Sequence, residues 1–152
     1  MQPLTLFALL CLMGTTLSAR PPETRCLEPV RNPKGMCNDG GTYTKRFGYD
    51  PITQKCKEFL EFSCTRNNNS FNNYTTCMQV CNPNSKCLIT PTKPMGKWFR
   101  TSFVFNITTL KCIKTTSFFK PSTGADYNRF LKEEECNKTC VPELQEIITS
   151  YG

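Results

Sequence analysis

The sequence predicts a small disulfide-rich α+β fold built twice in tandem, each copy a twisted β-hairpin with a short C-terminal helix. Three observations predict it. The cysteines fall into two groups, at 26, 37, 56, 64, 77 and 81, and at 87, 112, 136 and 140. Each group closes on a pair four residues apart, Cys77 with Cys81 and Cys136 with Cys140, a spacing that places both on one face of a helix. Upstream of each group's middle cysteine lies a stretch rich in aromatic and β-branched residues, the composition of a strand.

Taken in order, the chain opens with an apolar run from Leu4 to Leu12, broken by Thr5, and reaches small residues at Ser18 and Ala19. This pattern predicts a signal peptide over 1–19, although the usual basic residue is missing from Met1-Gln2-Pro3. The run falls short of the roughly 20 residues that span a bilayer, and no later stretch is long enough for a membrane span. Removing 1–19 removes Cys11 and leaves ten cysteines, an even count that reads as a disulfide framework in a short exported chain. Zinc is the competing use of cysteine, but the chain has no CxxC pair and no histidine. Four sequons, at Asn68, Asn73, Asn106 and Asn137, fit the same exported, glycosylated character.

The strands and helices follow. Thr42 to Tyr49 and Trp98 to Phe105 read as first strands, and Lys55 to Phe62 and Lys111 to Phe119 as the returning ones. Asp50-Pro51 supplies turn chemistry between the first pair. Asn73 is a good cap for a helix carrying Cys77 and Cys81. Glu133-Glu134-Glu135 suit the positive end of a second helix carrying Cys136 and Cys140. The resulting division is a segment 20–25, a first unit 26–81, a linker 82–86, a second unit 87–140 and a C-terminal tail 141–152. Each unit has about 55 residues, a size at which one core is marginal and staples are usual.

With these landmarks in place, the first unit resembles a Kunitz domain, the fold of bovine pancreatic trypsin inhibitor. Its cysteine gaps are 10, 18, 7, 12 and 3 residues; the last three match the family and the first two are longer. RFGYDPITQKC (Arg46 to Cys56) is similar to the family's aromatic strand and turn, and Phe59 and Phe71 match its core aromatics. The second unit repeats these features in SFVFNITTLKC (Ser102 to Cys112) and Phe130, but Gly96 and Lys120 stand where the second and fourth cysteines belong. Spacing alone leaves 15 pairings of six cysteines open. The resemblance implies Cys26–Cys81, Cys37–Cys64 and Cys56–Cys77, then Cys87–Cys140 and Cys112–Cys136. The ten-cysteine layout is similar to that of two-domain tick salivary anticoagulants of the tissue factor pathway inhibitor type.

In that family the residue after the second cysteine enters the pocket of a serine protease. Here it is Asn38, within a loop of Gly35, Met36, Cys37, Asn38 and Asp39. Asn38 cannot pair with the acid of a trypsin-like pocket, and Asp39 adds like charge. In the second unit Lys97 takes this position, but Trp98 follows it and the clamping bridge is absent. The second unit is therefore expected to bind an exosite, with Lys93, Lys97, Trp98, Phe99 and Arg100 as candidates.

The composition argues against an enzyme. Without histidine there is no Ser-His or Cys-His nucleophile, and paired-carboxylate hydrolysis needs a larger scaffold. No cofactor or metal is expected. The net charge is +7, and Lys86, Lys93, Lys97, Arg100, Lys111, Lys114 and Lys120 form a run without an acid. Such a run suits an acidic protein surface or a sulfated glycosaminoglycan; export argues against nucleic acid. The expected function is a monomeric, secreted serine protease inhibitor acting bivalently in coagulation, with factor Xa or factor VIIa–tissue factor as the targets the resemblance implies. The alternative is a Kunitz module that antagonises an ion channel or receptor.

Overall fold

The computed structural model describes residues 23–30, 42–64, 67–91 and 100–144. A short 3-10 helix, Thr24–Leu27, leads into strands β1 (Tyr43–Asp50) and β2 (Lys55–Phe62) and helix α1 (Tyr74–Cys81). A second 3-10 helix, Lys86–Leu88, leads into β3 (Arg100–Asn106), β4 (Lys111–Ser117) and α2 (Glu133–Cys140). Both strand pairs are antiparallel hairpins, in register from Tyr43 opposite Phe62 to Asp50 opposite Lys55, and from Arg100 opposite Ser117 to Asn106 opposite Lys111. Strand β1 lies one residue later than the sequence expectation at both ends, β3 ends one residue later, and β4 ends two residues earlier.

The same turn is built twice. Asp50 accepts a hydrogen bond from the Ile52 amide at 2.9 Å, and Asn106 accepts from the Thr108 and Thr109 amides at 2.9 and 3.0 Å. The chain then returns through a left-handed residue, Gln54 or Leu110, each at φ 55°. A third, strand-like contact joins each hairpin to the segment before its helix. Phe47 and Phe71 exchange backbone hydrogen bonds, as do Phe103 and Phe130. Gly48 leaves room for this crossing, because a side chain there would run into Val30 and come within 3.0 Å of the Asn69 carbonyl.

Helix α1 starts as its sequence suggests, with the Asn73 side chain accepting from the Thr76 amide at 2.8 Å. Such a cap contributes about 1 kcal/mol. Helix α2 follows Lys132, which makes no side-chain cap. Its first turn instead relies on Glu133, Glu134 and Glu135 complementing the helix dipole. Disulfides join Cys26 to Cys81, Cys56 to Cys77, Cys87 to Cys140 and Cys112 to Cys136.

The two units do not bury separate cores. Phe47, Tyr49, Phe71, Tyr74 and Met78 of the first form one buried cluster with Phe105 and Phe130 of the second and the helix cysteines. The ring of Tyr74 meets that of Phe105 at 5.7 Å, edge to face. The segment expected as a tail is docked as far as it is described. Glu58 of β2 donates its amide to the Glu143 carbonyl at 2.8 Å, and Glu58 and Leu144 form a parallel bridge.

Candidate functional site

The candidate loop residues Gly35, Met36, Cys37, Asn38 and Asp39 lie outside the described residues, as do Lys93, Gly96, Lys97, Trp98 and Phe99. The supports that flank them are described. In the first unit the open end of the hairpin is closed by Tyr43 packed against Phe62, with ring centroids 3.7 Å apart and planes tilted by 43°, and by the Ser63 amide donating to the Thr42 carbonyl at 3.2 Å. Phe62 is only 7% exposed, so this bulky residue turns inward. Cys64 lies two residues on and is disulfide-bonded.

Behind this end lies a polar hub that the sequence reading missed. The buried Glu61 carboxylate accepts from the Asn67 amide at 2.8 Å and the Ser70 hydroxyl at 2.9 Å, with Arg46 3.5 Å away. A buried carboxylate is tolerable only with such partners. The hub ties the end of β2 to the segment leading into α1.

The second unit presents a different face at the same end. Arg100 opens β3 opposite Ser117 and is exposed. Beyond Ser117, Phe118 is 53% and Phe119 74% exposed, their rings 5.2 Å apart. Lys120 follows, exposed, where the family has its fourth cysteine. The described members of the basic run do not share one face. Lys86 stacks over Phe130 at 4.1 Å and donates to the Arg129 carbonyl, which makes it a packing residue. Lys111 sits at the turn end, about 20 Å along the hairpin from Arg100. By strand alternation Lys114 faces the side opposite to both.

Two further residues, unnoticed in the sequence, hold the frame of each unit. The Asn69 side chain accepts from the Tyr49 amide and donates to the Tyr49 and Glu28 carbonyls, all at 2.8 Å. Asn128 does the same with Phe105 and Ile89, at 2.8–2.9 Å. The signal was the repeated Asn-x-Phe of Asn69-Ser70-Phe71 and Asn128-Arg129-Phe130. The sequons occupy varied settings: Asn73 caps a helix, Asn106 shapes a turn, Asn137 is exposed on α2, and the Asn68 amide donates to the Glu28 carboxylate.

A groove of about 360 Å³ lies at the other end of the first hairpin, lined by Leu27, Val30, Tyr49, Asp50, Ile52 and Lys57. Burial opposes ionisation of Asp50, but hydrogen bonds from Lys57, the Ile52 amide and Thr53 hold its carboxyl below the usual range. Burial, helped by the Asp50 charge, pushes the Tyr49 phenol up. Since Asp50 is already paired with Lys57 at 2.6 Å, the groove offers no reactive group. Among the described residues, no helix is long and apolar enough to cross a membrane.

Comparison with known proteins gives this geometry its family. The model of the Kunitz/Bovine pancreatic trypsin inhibitor domain matches residues 25–82. Haemaphysalin of Haemaphysalis longicornis is 29% identical over 125 residues, covering 80% of this chain and 75% of its own. Tissue factor pathway inhibitor 2 of Bos taurus is 30% identical over 153 residues, covering 93% of this chain and 62% of its own. Simukunin of Simulium vittatum is 35% identical over 88 residues, 58% of this chain and 78% of its own. The chain thus spans less than two thirds of tissue factor pathway inhibitor 2 but most of the other two. With its two stapled hairpin-and-helix units, the chain belongs to the Kunitz family of serine protease inhibitors, not to a family of enzymes.

Proposed function

We propose that the protein is a secreted inhibitor of a coagulation serine protease, engaging it through both units. The loop from Gly35 to Asp39 meets the active site, and the second unit holds an exosite. The observation that carries this reading is the divergence between Cys64 and Lys120. The first unit keeps a disulfide-bonded cysteine at this place; the second has an exposed lysine beside two exposed phenylalanines. A loop without its clamp loses more entropy on docking and mimics a substrate poorly, whereas exposed aromatic and cationic groups anchor protein interfaces well.

The similarity to tissue factor pathway inhibitor 2 supports a coagulation target, and factor Xa and factor VIIa–tissue factor are the two enzymes to test. Export directed by residues 1–19, glycans on Asn68, Asn73, Asn106 and Asn137, and a monomeric state complete the proposal. A sulfated glycosaminoglycan is a second ligand for Arg100 and Lys120, not for the run as a whole.

The test uses the full-length glycosylated protein against factor Xa, factor VIIa–tissue factor and trypsin. Inhibition is read with small chromogenic substrates, and binding is read with each active site covalently blocked. Trypsin should be inhibited weakly, because Asn38 offers its pocket no charge, and one coagulation enzyme should still bind when blocked. Tight inhibition of trypsin would sink the assignment of Asn38. Complete loss of binding on blocking would sink the exosite.

A further inference from the structure

Lys55, the first residue of β2, is 2% exposed. Its ammonium group has three protons to donate and finds three acceptors, one in the second unit and two in the segment that directly follows it. They are the Lys138 carbonyl at 2.9 Å, the Val141 carbonyl at 3.3 Å and the Glu143 carboxylate at 2.7 Å. The first two belong to the C-terminal end of α2. There the last carbonyls lack partners within the helix, and the helix dipole is negative. The buried Tyr74 takes a third carbonyl of the same end, its hydroxyl donating to Cys140 at 2.6 Å. The chain then runs on so that the Glu143 carbonyl accepts the Glu58 amide at 2.8 Å.

The end of α2 is therefore capped by side chains of the first unit as well as by its own chain, whose Val141 amide donates to the Asn137 carbonyl at 3.1 Å. A buried ammonium group tolerates little displacement, because leaving any of its protons unpaired out of water is costly. Three acceptors from residues 138, 141 and 143 fix both the distance and the rotation of one unit on the other. The edge-to-face contact of Tyr74 with Phe105 fills the apolar space beside them.

We infer that Lys55, with Tyr74 and the Glu58 amide, locks the two Kunitz units into one rigid body with a single relative orientation. The linker 82–86 then acts as a connection inside that body, not as a tether. The lock stands apart from the inhibitory reading. Where that reading also holds, the two loop ends meet their target in a preset arrangement, which reduces the entropy lost on binding.

The test is made on the full chain in solution, without any partner. Amide ¹⁵N relaxation should give the same tumbling time for β1–β2 and for β3–β4, and the Glu58 amide should be protected from hydrogen exchange. In Lys55→Met the two tumbling times should separate, each falling toward that of a body half the size. Protection of Glu58 should drop at least about tenfold while the β1–β2 ladder stays protected. Unequal tumbling times or an unprotected Glu58 in the unaltered protein would overturn the lock, and so would a folded Lys55→Met that behaves like it. If Lys55→Met does not fold, the double variant Tyr74→Phe, Glu143→Gln makes the same test, with a smaller separation expected and no change as the contrary result.

Discussion

The two units share a frame and differ in how they close its open end. Both have the same hairpin register, the same turn, the same asparagine bracket and a cation over the phenylalanine that precedes the helix: Arg25 over Phe71 at 4.4 Å and Lys86 over Phe130 at 4.1 Å. At the open end they part. The first unit turns Phe62 inward, packs Tyr43 against it and keeps Cys64 bonded; the second leaves Phe118 and Phe119 largely in water and puts Lys120 in the cysteine's place. The second frame forms with a lysine at this place, and Cys64, which fills it in the first, is itself exposed rather than part of the buried cluster.

The largest expected effect comes from removing a bridge that both units retain. Replacing Cys87 and Cys140 by alanine frees a loop with a sequence separation of 53, and replacing Cys26 and Cys81 frees one of 55. Loop length predicts about 4 kcal/mol for either pair. The second unit has fewer bridges left to hold it, so it should lose its structure at the lower temperature when followed by calorimetry. Equal melting shifts for the two replacements would mean that the shared core, and not the local staples, sets stability.

The next effect separates the two open ends. Phe62→Ala should cost about 3–4 kcal/mol, as deletion of a buried ring does. Phe118→Ala should cost less than about 1 kcal/mol, because that ring is already half in water. Denaturant unfolding of both variants measures the difference, and similar costs would place Phe118 in the core.

Asn69→Ala and Asn128→Ala should each cost about 2–3 kcal/mol, since each leaves buried backbone groups unpaired. Here the expectation is equality, and a difference of more than about 1 kcal/mol between them would show that the bracket has diverged along with the loops.

The smallest effect depends on pH. The hydrogen bond from Lys55, opposed by burial and aided by the Lys57 charge, holds the Glu143 carboxyl below its ordinary value. A carboxyl lowered in the folded state stabilises it above the unfolded pKa of about 4.3 and loses that contribution as pH falls through the lower, folded value. Protection of the Glu58 amide should therefore weaken in acid below about pH 4. Glu143→Gln should remove that dependence, whereas an unchanged profile in Glu143→Gln would assign it to another carboxylate.

Much of the fold was legible because it is local. Strand composition, the turn at Asp50-Pro51, the cap at Asn73 and the acidic start of α2 act within a few residues of their position, and the helix spacing of Cys77 and Cys81 or Cys136 and Cys140 is visible in one line of text. The asparagine brackets were missed although Asn-x-Phe occurs twice, because a buried asparagine and a surface one look alike until its backbone partners are known. Lys55 was not legible at all. Two of its acceptors are main-chain carbonyls 83 and 86 residues away, and no side-chain pattern announces a carbonyl. Lys86 misled for the opposite reason: its charge joined a basic run in the sequence, but its geometry is spent on a ring.

The choice of a lysine at position 55 also bears on how the chain is made. Its acceptors leave the ribosome well after it, and the roughly sixty residues between Cys81 and Val141 take about 3–12 s to synthesise at ordinary rates. For that interval the first unit has all its cysteines but not its cover. An apolar residue at position 55 would leave a sticky face on a crowded nascent chain. An ammonium group and a phenol stay hydrated while they wait, and lose their water only when the end of α2 arrives to replace it.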